Sequence, residues 1–331
     1  MRVFIAGILS GCPALLCSGC GASSGSSDHG RSPATEAGIE APANNGALDG
    51  AVSDLDATGT SMRAPADAES TPSAADAGAG ADASSIVPGL QPFKGVANSA
   101  CADLATLKVS WWYNWTTSPS GCASPSFVPM VWGHTGKEQS ASGIAAEINA
   151  AVSAGYDTVL GFNEPDNTGQ SNLSVATAIS LWPSFNHASV RLGSPATQGN
   201  GTGLTWIQSF MKQIDADAGS ALRVDFIATH WYGWNAGSCD AKAANLESWI
   251  KQIEAIPGNR PIWLTEWGCL NDSNPDAATV QAFYSGAVAM FATHPRLERY
   301  AWYPWTTNNE LIDAGALTSL GAAFAAEPSS R

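Results

Sequence analysis

Between residues 93 and 305 the chain alternates eight short apolar runs with helix-like stretches, and that alternation leaves few folds open. The runs are FKGVANS (93–99), LKVSWWYNW (107–115), SFVPMVW (126–132), DTVLGFNE (157–164), VRLGSPAT (190–197), VDFIATHWY (224–232), PIWLTEW (261–267) and RYAWYPW (299–305). Segments between them, such as SGIAAEINAAVSAG and AANLESWIKQIEAI, place apolar residues at i, i+3, i+4 and i+7, the period of a helix with one buried face. Near-continuous apolar strands separated by helices indicate an α/β fold with a parallel sheet covered on its outer face. Eight such units in about 240 residues match a single (β/α)8 TIM barrel in count and length. A doubly wound open sheet is the alternative, but no GxGxxG turn follows the first run.

Several runs begin apolar and finish polar or aromatic: WWYNW, VWGH, FNEPDN, THWYG, TEWG and WYPW. The carboxyl ends of barrel strands form the active face of such enzymes, so this enrichment places a site there. Glu164 closes the fourth run and Glu266 the seventh, nearly across the barrel. A carboxyl group at the end of an apolar strand, facing a tryptophan-lined cleft, is partly desolvated, and its pKa is expected to rise toward that of a proton donor. A second carboxylate about 5 Å away can attack an anomeric carbon with retention, whereas a gap of roughly 6.5–9.5 Å holds a water and inverts. One such glutamate alone would read as a salt-bridged strand end. Two at the same end, beside aromatics, read as a catalytic pair.

The remainder of the chain is different in kind. All 13 tryptophans lie after position 110, while residues 21–90 are almost entirely small, polar or acidic. That stretch has too few large apolar side chains to offset the entropy of ordering it, so a disordered linker is expected before the barrel. It carries ten carboxylates and two arginines, −8 of the formal −14, which leaves residues 91–331 only mildly acidic. Nucleic acid is therefore an unsuitable partner, since phosphate binding needs clustered Lys and Arg. Residues 1–20, MRVFIAGILSGCPALLCSGC, have the arginine, short apolar run and small residues of a secretion signal. The ending CSGC resembles a bacterial lipobox, with Cys20 as the lipidated residue and Cys17 where Leu is usual; an ordinary cleaved signal is the alternative. A surface or outer-membrane lipoprotein, or a secreted protein, is the expected localisation, with membrane contact only through that anchor. With Cys12, Cys17 and Cys20 set aside, Cys101, Cys122, Cys239 and Cys269 form an even set in an exported chain and suggest disulfides. Three pairings are open. No CxxC spacing or His-rich neighbourhood points to a metal.

The ordered set VSWWYNW, FVPMVWG, LGFNEPD, ATHWYG, WLTEWG and AWYPW, within residues 93–320, resembles glycoside hydrolase family 128. The resemblance implies a retaining barrel with the acid/base after strand 4 and the nucleophile after strand 7, acting as an endo-β-1,3-glucanase without cofactor or metal. Carried onto this sequence, Glu164 is the acid/base, Glu266 the nucleophile, and Asn163 the amide that bonds the sugar 2-hydroxyl. His230 and Tyr232 alternate on one face of the sixth strand; Tyr232 is favoured to donate to Glu266, and His230 to contact substrate or the residues behind it. Trp111, Tyr113, Trp132, Trp267, Trp302 and Trp305 are candidate sugar platforms. Trp111 and Trp112 are consecutive, so at most one of them lines the cleft. Trp182, Trp206 and Trp249 lie in helix-like segments and are expected in the core. On this layout Cys101 and Cys122 would follow strands 1 and 2, and Cys239 and Cys269 strands 6 and 7, so the pairs Cys101–Cys122 and Cys239–Cys269 are expected.

A polysaccharide substrate and a monomer complete the expectation. The rivals are a β-glycanase acting on β-1,4-glucan, xylan or mannan, a surface carbohydrate-binding lipoprotein without catalysis, and a protein-docking adhesin. The carboxylate pair speaks against the last two.

Overall fold

The computed structural model describes residues 92–122, 126–133, 139–217, 219, 222–303, 306 and 308–328. The signal segment with Cys20, the linker and Trp305 lie outside the described residues.

The described residues form seven parallel strands: β1 (Phe93–Ala97), β2 (Trp111–Tyr113), β3 (Thr158–Val159), β4 (Arg191–Leu192), β5 (Ile227–Trp231), β6 (Ile262–Trp267) and β7 (Leu297–Trp302). The main sheet runs β2-β1-β7-β6-β5, and β3 pairs with β4. Isolated parallel bridges close the circuit. Trp112↔Phe127 and Met130↔Leu160 connect β2 to β3 through segment 127–130, while Gly193↔Phe226 and Thr197↔Thr229 connect β4 to β5. All eight expected strand positions are therefore filled, the third by bridges alone. Pro129 explains this. It has no N–H to give to a ladder, yet its carbonyl still accepts from Leu160 N at 2.9 Å.

The outer layer comprises α1 (Asp103–Leu107), α2 (Ala141–Ser153), α3 (Val175–Leu181), α4 (Gly201–Ala216), α5 (Ala244–Glu254), α6 (Ala277–Phe291) and α7 (Ser319–Ala326). Five of these begin where a side-chain oxygen of Ser140, Ser174, Asn200, Asp276 or Thr318 accepts the N–H three residues on, satisfying a donor the helix cannot. Their apolar faces and the outward side chains of the strands make the larger core, which holds Trp182, Trp206 and Trp249 as expected.

A second, smaller cluster fills the bore: Ala97, Trp111, Tyr113, Val128, Met130, Leu160, Phe226, Trp263 and Ala301. Room for its indoles comes from small residues opposite them. A Cβ on Gly95 would lie 2.4 Å from Trp111 Nε1. Trp263 stacks on Phe226 with centroids 4.0 Å apart and meets Trp111 at 5.1 Å, and the Arg299 guanidinium sits 4.3 Å from the Trp263 ring centre. Two disulfides staple the loops at the opposite end, Cys101–Cys122 (S–S 2.07 Å) and Cys239–Cys269 (S–S 2.22 Å).

Candidate active site

Glu164 stands where the fourth strand position gives way to a turn. Asn163 N–H donates to Trp132 O at 3.1 Å and Glu164 N–H to Ala196 O at 2.7 Å, so this peptide is held from both neighbouring strand positions. Glu164 itself has φ 39°, in the left-handed region. For a non-glycine residue that conformation costs on the order of 1–3 kcal/mol and persists where the surroundings over-determine it. Closure of the turn by Asn167 N–H on Glu164 O, at 3.0 Å, contributes to that.

Glu266 reaches the bore by a different device. β5 and β6 are paired Thr229↔Leu264 and then His230↔Glu266, leaving Thr265 without an opposite residue. The register with β7 likewise moves between Leu264 and Trp267. One extra residue in a strand is a bulge, and it reverses which side chains face in. Trp263 fills the bore, Leu264 faces the helices, and after the bulge Glu266 points inward while Trp267 faces the helices.

The two carboxylates are buried, 7% and 5% exposed, and are supplied with donors accordingly. Glu164 Oε1 lies 3.0 Å from His230 Nδ1, and its Oε2 accepts from Asn167 Nδ2 at 3.0 Å. Glu266 Oε1 accepts from Trp115 Nε1 at 2.7 Å and from the Tyr113 hydroxyl at 3.0 Å, while the Tyr232 hydroxyl donates to Oε2. His230, fully buried, spans the pair, with its Nε2 3.5 Å from Glu266 Oε1. One ligand-type atom from each of Glu164, His230 and Glu266 lies within 4.8 Å of the other two. Among the described residues this is the one His/Cys/Asp/Glu group compact enough for a cation. His230, however, presents both nitrogens to carboxylate oxygens, so it would have to abandon Glu164 or turn to become a ligand.

Titration in this cluster departs from the expectation for Glu164. Burial pushes its carboxyl up, but the bonds from His230 and Asn167 outweigh burial and hold it below the ordinary glutamate value. For His230, burial opposes protonation, yet the Glu266 charge and the Glu164 bond raise the imidazole above its ordinary value. The cluster thus biases Glu164 toward its ionised form and His230 toward its protonated one. Burial, followed by the Glu266 charge, raises both Tyr113 and Tyr232, which keeps them as O–H donors.

The aromatic platforms need correction. Trp111 is fully buried in the bore, and its indole donates to Phe93 O at 3.2 Å. Trp267 and Trp302 are fully buried in the helix layer, their ring centres 4.7 Å apart. None of the three offers a face to a sugar. Tyr113 and His230 are also fully buried, and they serve the glutamates. Trp132 is half-buried at the end of the third strand position. Asn163, 4% exposed, donates from Nδ2 to Gln170 Oε1 at 3.1 Å, and its Oδ1 has no hydrogen-bond partner among the described residues.

Four residues at the site carry no role in the sequence reading: Trp115, Tyr303 and Trp234, which it passes over, and Asn167, which with Asp166 reads there as turn chemistry. Half-buried Tyr303 lies between Trp115 (5.3 Å) and Tyr232 (6.2 Å), and Trp234, 50% exposed, lies 5.6 Å from Tyr232. Two of the four had a signal. Trp111, Tyr113 and Trp115 are spaced by two, as are Ala301 and Tyr303, and period two shares a face.

The family model described as the glycosyl hydrolase catalytic core matches residues 91–324. Alkali-sensitive linkage protein 1 of Schizosaccharomyces pombe is 32% identical over 235 residues, which is 65% of this chain and 40% of that protein, so the chain spans well under half of this relative. Among solved structures, a GH128 subgroup I endo-β-1,3-glucanase from Amycolatopsis mediterranei, in complex with laminarihexaose, is 34% identical. It superposes with TM-score 0.61 over 71% of this chain and 99% of its own. A GH128 subgroup III curdlan-specific exo-β-1,3-glucanase from Blastomyces gilchristii is 29% identical, with TM-score 0.58 over 71% of this chain and 98% of its own. With two buried glutamates meeting at the mouth of a parallel barrel, and the family model covering that whole barrel, the chain belongs to the glycosyl hydrolase catalytic-core family and carries a GH128-type glycoside hydrolase domain.

Proposed function

We propose that this glycoside hydrolase is a retaining endo-β-1,3-glucanase in which Glu266 is the nucleophile and Glu164 the acid/base. The observation that carries the reading is the carboxylate separation. An oxygen of each glutamate lies within 4.8 Å of an oxygen of the other, which favours the roughly 5 Å spacing of direct attack over the roughly 6.5–9.5 Å of inverting pairs. The substrate class rests on the laminarihexaose-bound relative.

In the first step ionised Glu266, oriented by Tyr113, Trp115 and Tyr232, attacks C1 of the sugar while Glu164 protonates the departing oxygen. His230 Nδ1, 3.0 Å away, is placed to supply the proton that Glu164 needs. In the second step Glu164 takes a proton from water, the water attacks C1, and Glu266 leaves as carboxylate. Asn163, next to the acid on the same turn, is placed to bond the sugar 2-hydroxyl, a contact that strengthens as the oxocarbenium character grows. Half-buried Trp132 and Tyr303 and exposed Trp234 replace the buried indoles as platforms for pyranose C–H faces.

The test is hydrolysis of laminarin, curdlan, carboxymethyl cellulose and xylan by the wild type, Glu164→Gln and Glu266→Gln. Loss of about 10⁴-fold or more is expected for Glu266→Gln on laminarin, with the β-anomer formed first by proton NMR. Wild-type activity in Glu266→Gln sinks the mechanism. Xylan cleavage without laminarin cleavage sinks only the substrate. Release of glucose alone from laminarihexaose assigns exo action, as in the Blastomyces relative. Export with a lipid on Cys20 is proposed with it, and is checked by acyl labelling that Cys20→Ser abolishes.

A further inference from the structure

The nucleophile is held almost entirely by neutral groups. Among the described residues Glu266 makes one ion-pair contact, with His230 at 3.5 Å. Its close donors are two phenols and an indole, and the Trp115 indole, at 2.7 Å, is the nitrogen nearest to it. A donor aimed at an ionised carboxylate is about twice as strong as a neutral pair and fixes the direction of the accepting oxygen.

Independent observations show that Trp115 is held in place for this bond. Its backbone sits at φ 60°, a conformation that a bulky residue adopts only against a steric cost. The flanking chain enforces it. Asn114 Nδ2 donates to Ser118 O at 3.0 Å, and its Oδ1 accepts from the Thr116 hydroxyl at 2.9 Å. Met130 N–H donates to Thr116 O at 3.0 Å, tying the loop to the neighbouring strand position. The Thr117 hydroxyl donates to Glu147 of α2, and Cys101–Cys122 closes the far side of the loop. The indole packs edge-on against Tyr303, interplanar angle 87°, and stays half-buried. A residue needed only to fill space would not require a strained backbone held by this many bonds.

We infer that Trp115 is a positioning residue for Glu266: its indole N–H fixes the carboxylate for in-line attack. This rests on the reading of Glu266 as nucleophile. It also explains why the loop after β2, far from Glu266 in sequence, is stapled and cross-bonded.

The test uses Trp115→Phe, which keeps an aromatic ring and removes the donor. On laminarihexaose kcat is expected to fall about 10- to 100-fold, the range for losing a hydrogen bond to a charged group, with KM changed less than about twofold because the contact matters at attack rather than at binding. A structural role would lower thermal stability and move both constants together. The second measurement needs no Trp115 variant: in protein labelled with ¹⁵N-tryptophan, one indole N–H resonance should be shifted downfield and should move upfield in Glu266→Gln. A folded Trp115→Phe enzyme with kcat within twofold of wild type overturns the inference, as does an indole spectrum identical in Glu266→Gln. A Glu266→Gln enzyme that retains activity, with the resonance shifted, would instead refute the nucleophile assignment and leave the hydrogen bond standing.

Discussion

The two ends of the bore use the same residue types for opposite purposes. At the closed end Phe226 stacks on Trp263, Trp111 packs tilted against Trp263, and the Trp111 indole merely satisfies a backbone carbonyl. At the mouth, four residues further along the chain and just past the end of β2, the Trp115 indole bonds a carboxylate, and the Tyr113 and Tyr232 hydroxyls join it. Depth in the barrel thus decides whether an aromatic side chain is filler or donor. The end that stabilises and the end that reacts should be separable by mutation. Trp263→Ala should cost about 3–5 kcal/mol of stability, the range for truncating a large buried aromatic, read as a lower midpoint in urea. The surviving folded enzyme should keep its kcat at low temperature, since distant sites act independently. Loss of kcat without loss of stability would show that the closed end shapes the mouth.

Which face each aromatic takes was only half legible in the sequence. Eight apolar runs gave the strand order, and Glu164 and Glu266 stood out because carboxylates at the ends of apolar strands demand partners. Trp302 could have been excluded by parity, since it alternates with inward Ala301 and Tyr303. Trp267 could not. Simple alternation from Trp263 puts it in the bore, and the bulge at Thr265 that moves it out depends on pairing with both neighbours. The lowered Glu164 carboxyl was hidden for a similar reason. Its partner His230 is 66 residues away, and burial alone predicts the opposite direction.

Within the mouth the comparison sharpens by degree. Tyr232→Phe removes a donor from Glu266 Oε2 without opening a cavity, so kcat should fall about 10- to 100-fold while thermal stability stays near wild type. A drop in stability with unchanged kcat would return Tyr232 to the filler class. Trp234 should matter less. Its ring is 50% exposed, so Trp234→Ala should weaken binding of laminarihexaose to a Glu164→Gln enzyme by about 0.5–1.5 kcal/mol, the scale of one stacked ring. Calorimetry showing equal affinity would place the sugar chain elsewhere.

The smallest effect lies two residues beyond Glu164, at Asp166, and separates the two ends by pH. Burial raises its carboxyl from 3.8 to about 6; the Gln198 N–H opposes this, and the Glu164 charge adds to it. Its Oδ1 accepts from Gln198 N at 3.2 Å, and its Oδ2 is buried with no hydrogen-bond partner among the described residues. The sign follows from which state binds the proton. Between about pH 4 and 6 the folded chain keeps a proton on Asp166 that the unfolded chain has released. That contribution to stability is fully present below pH 4 and lost as pH rises through 6. Asp166→Asn lacks it, so the thermal midpoint of wild type relative to the variant should decline from pH 4 to pH 7. Trp263→Ala, which touches no titrating group at the mouth, should instead lie below wild type by the same interval at both pH values. Parallel curves for Asp166→Asn would mean that its carboxyl finds solvent, and that the polar end of the bore begins deeper, at Glu164 itself.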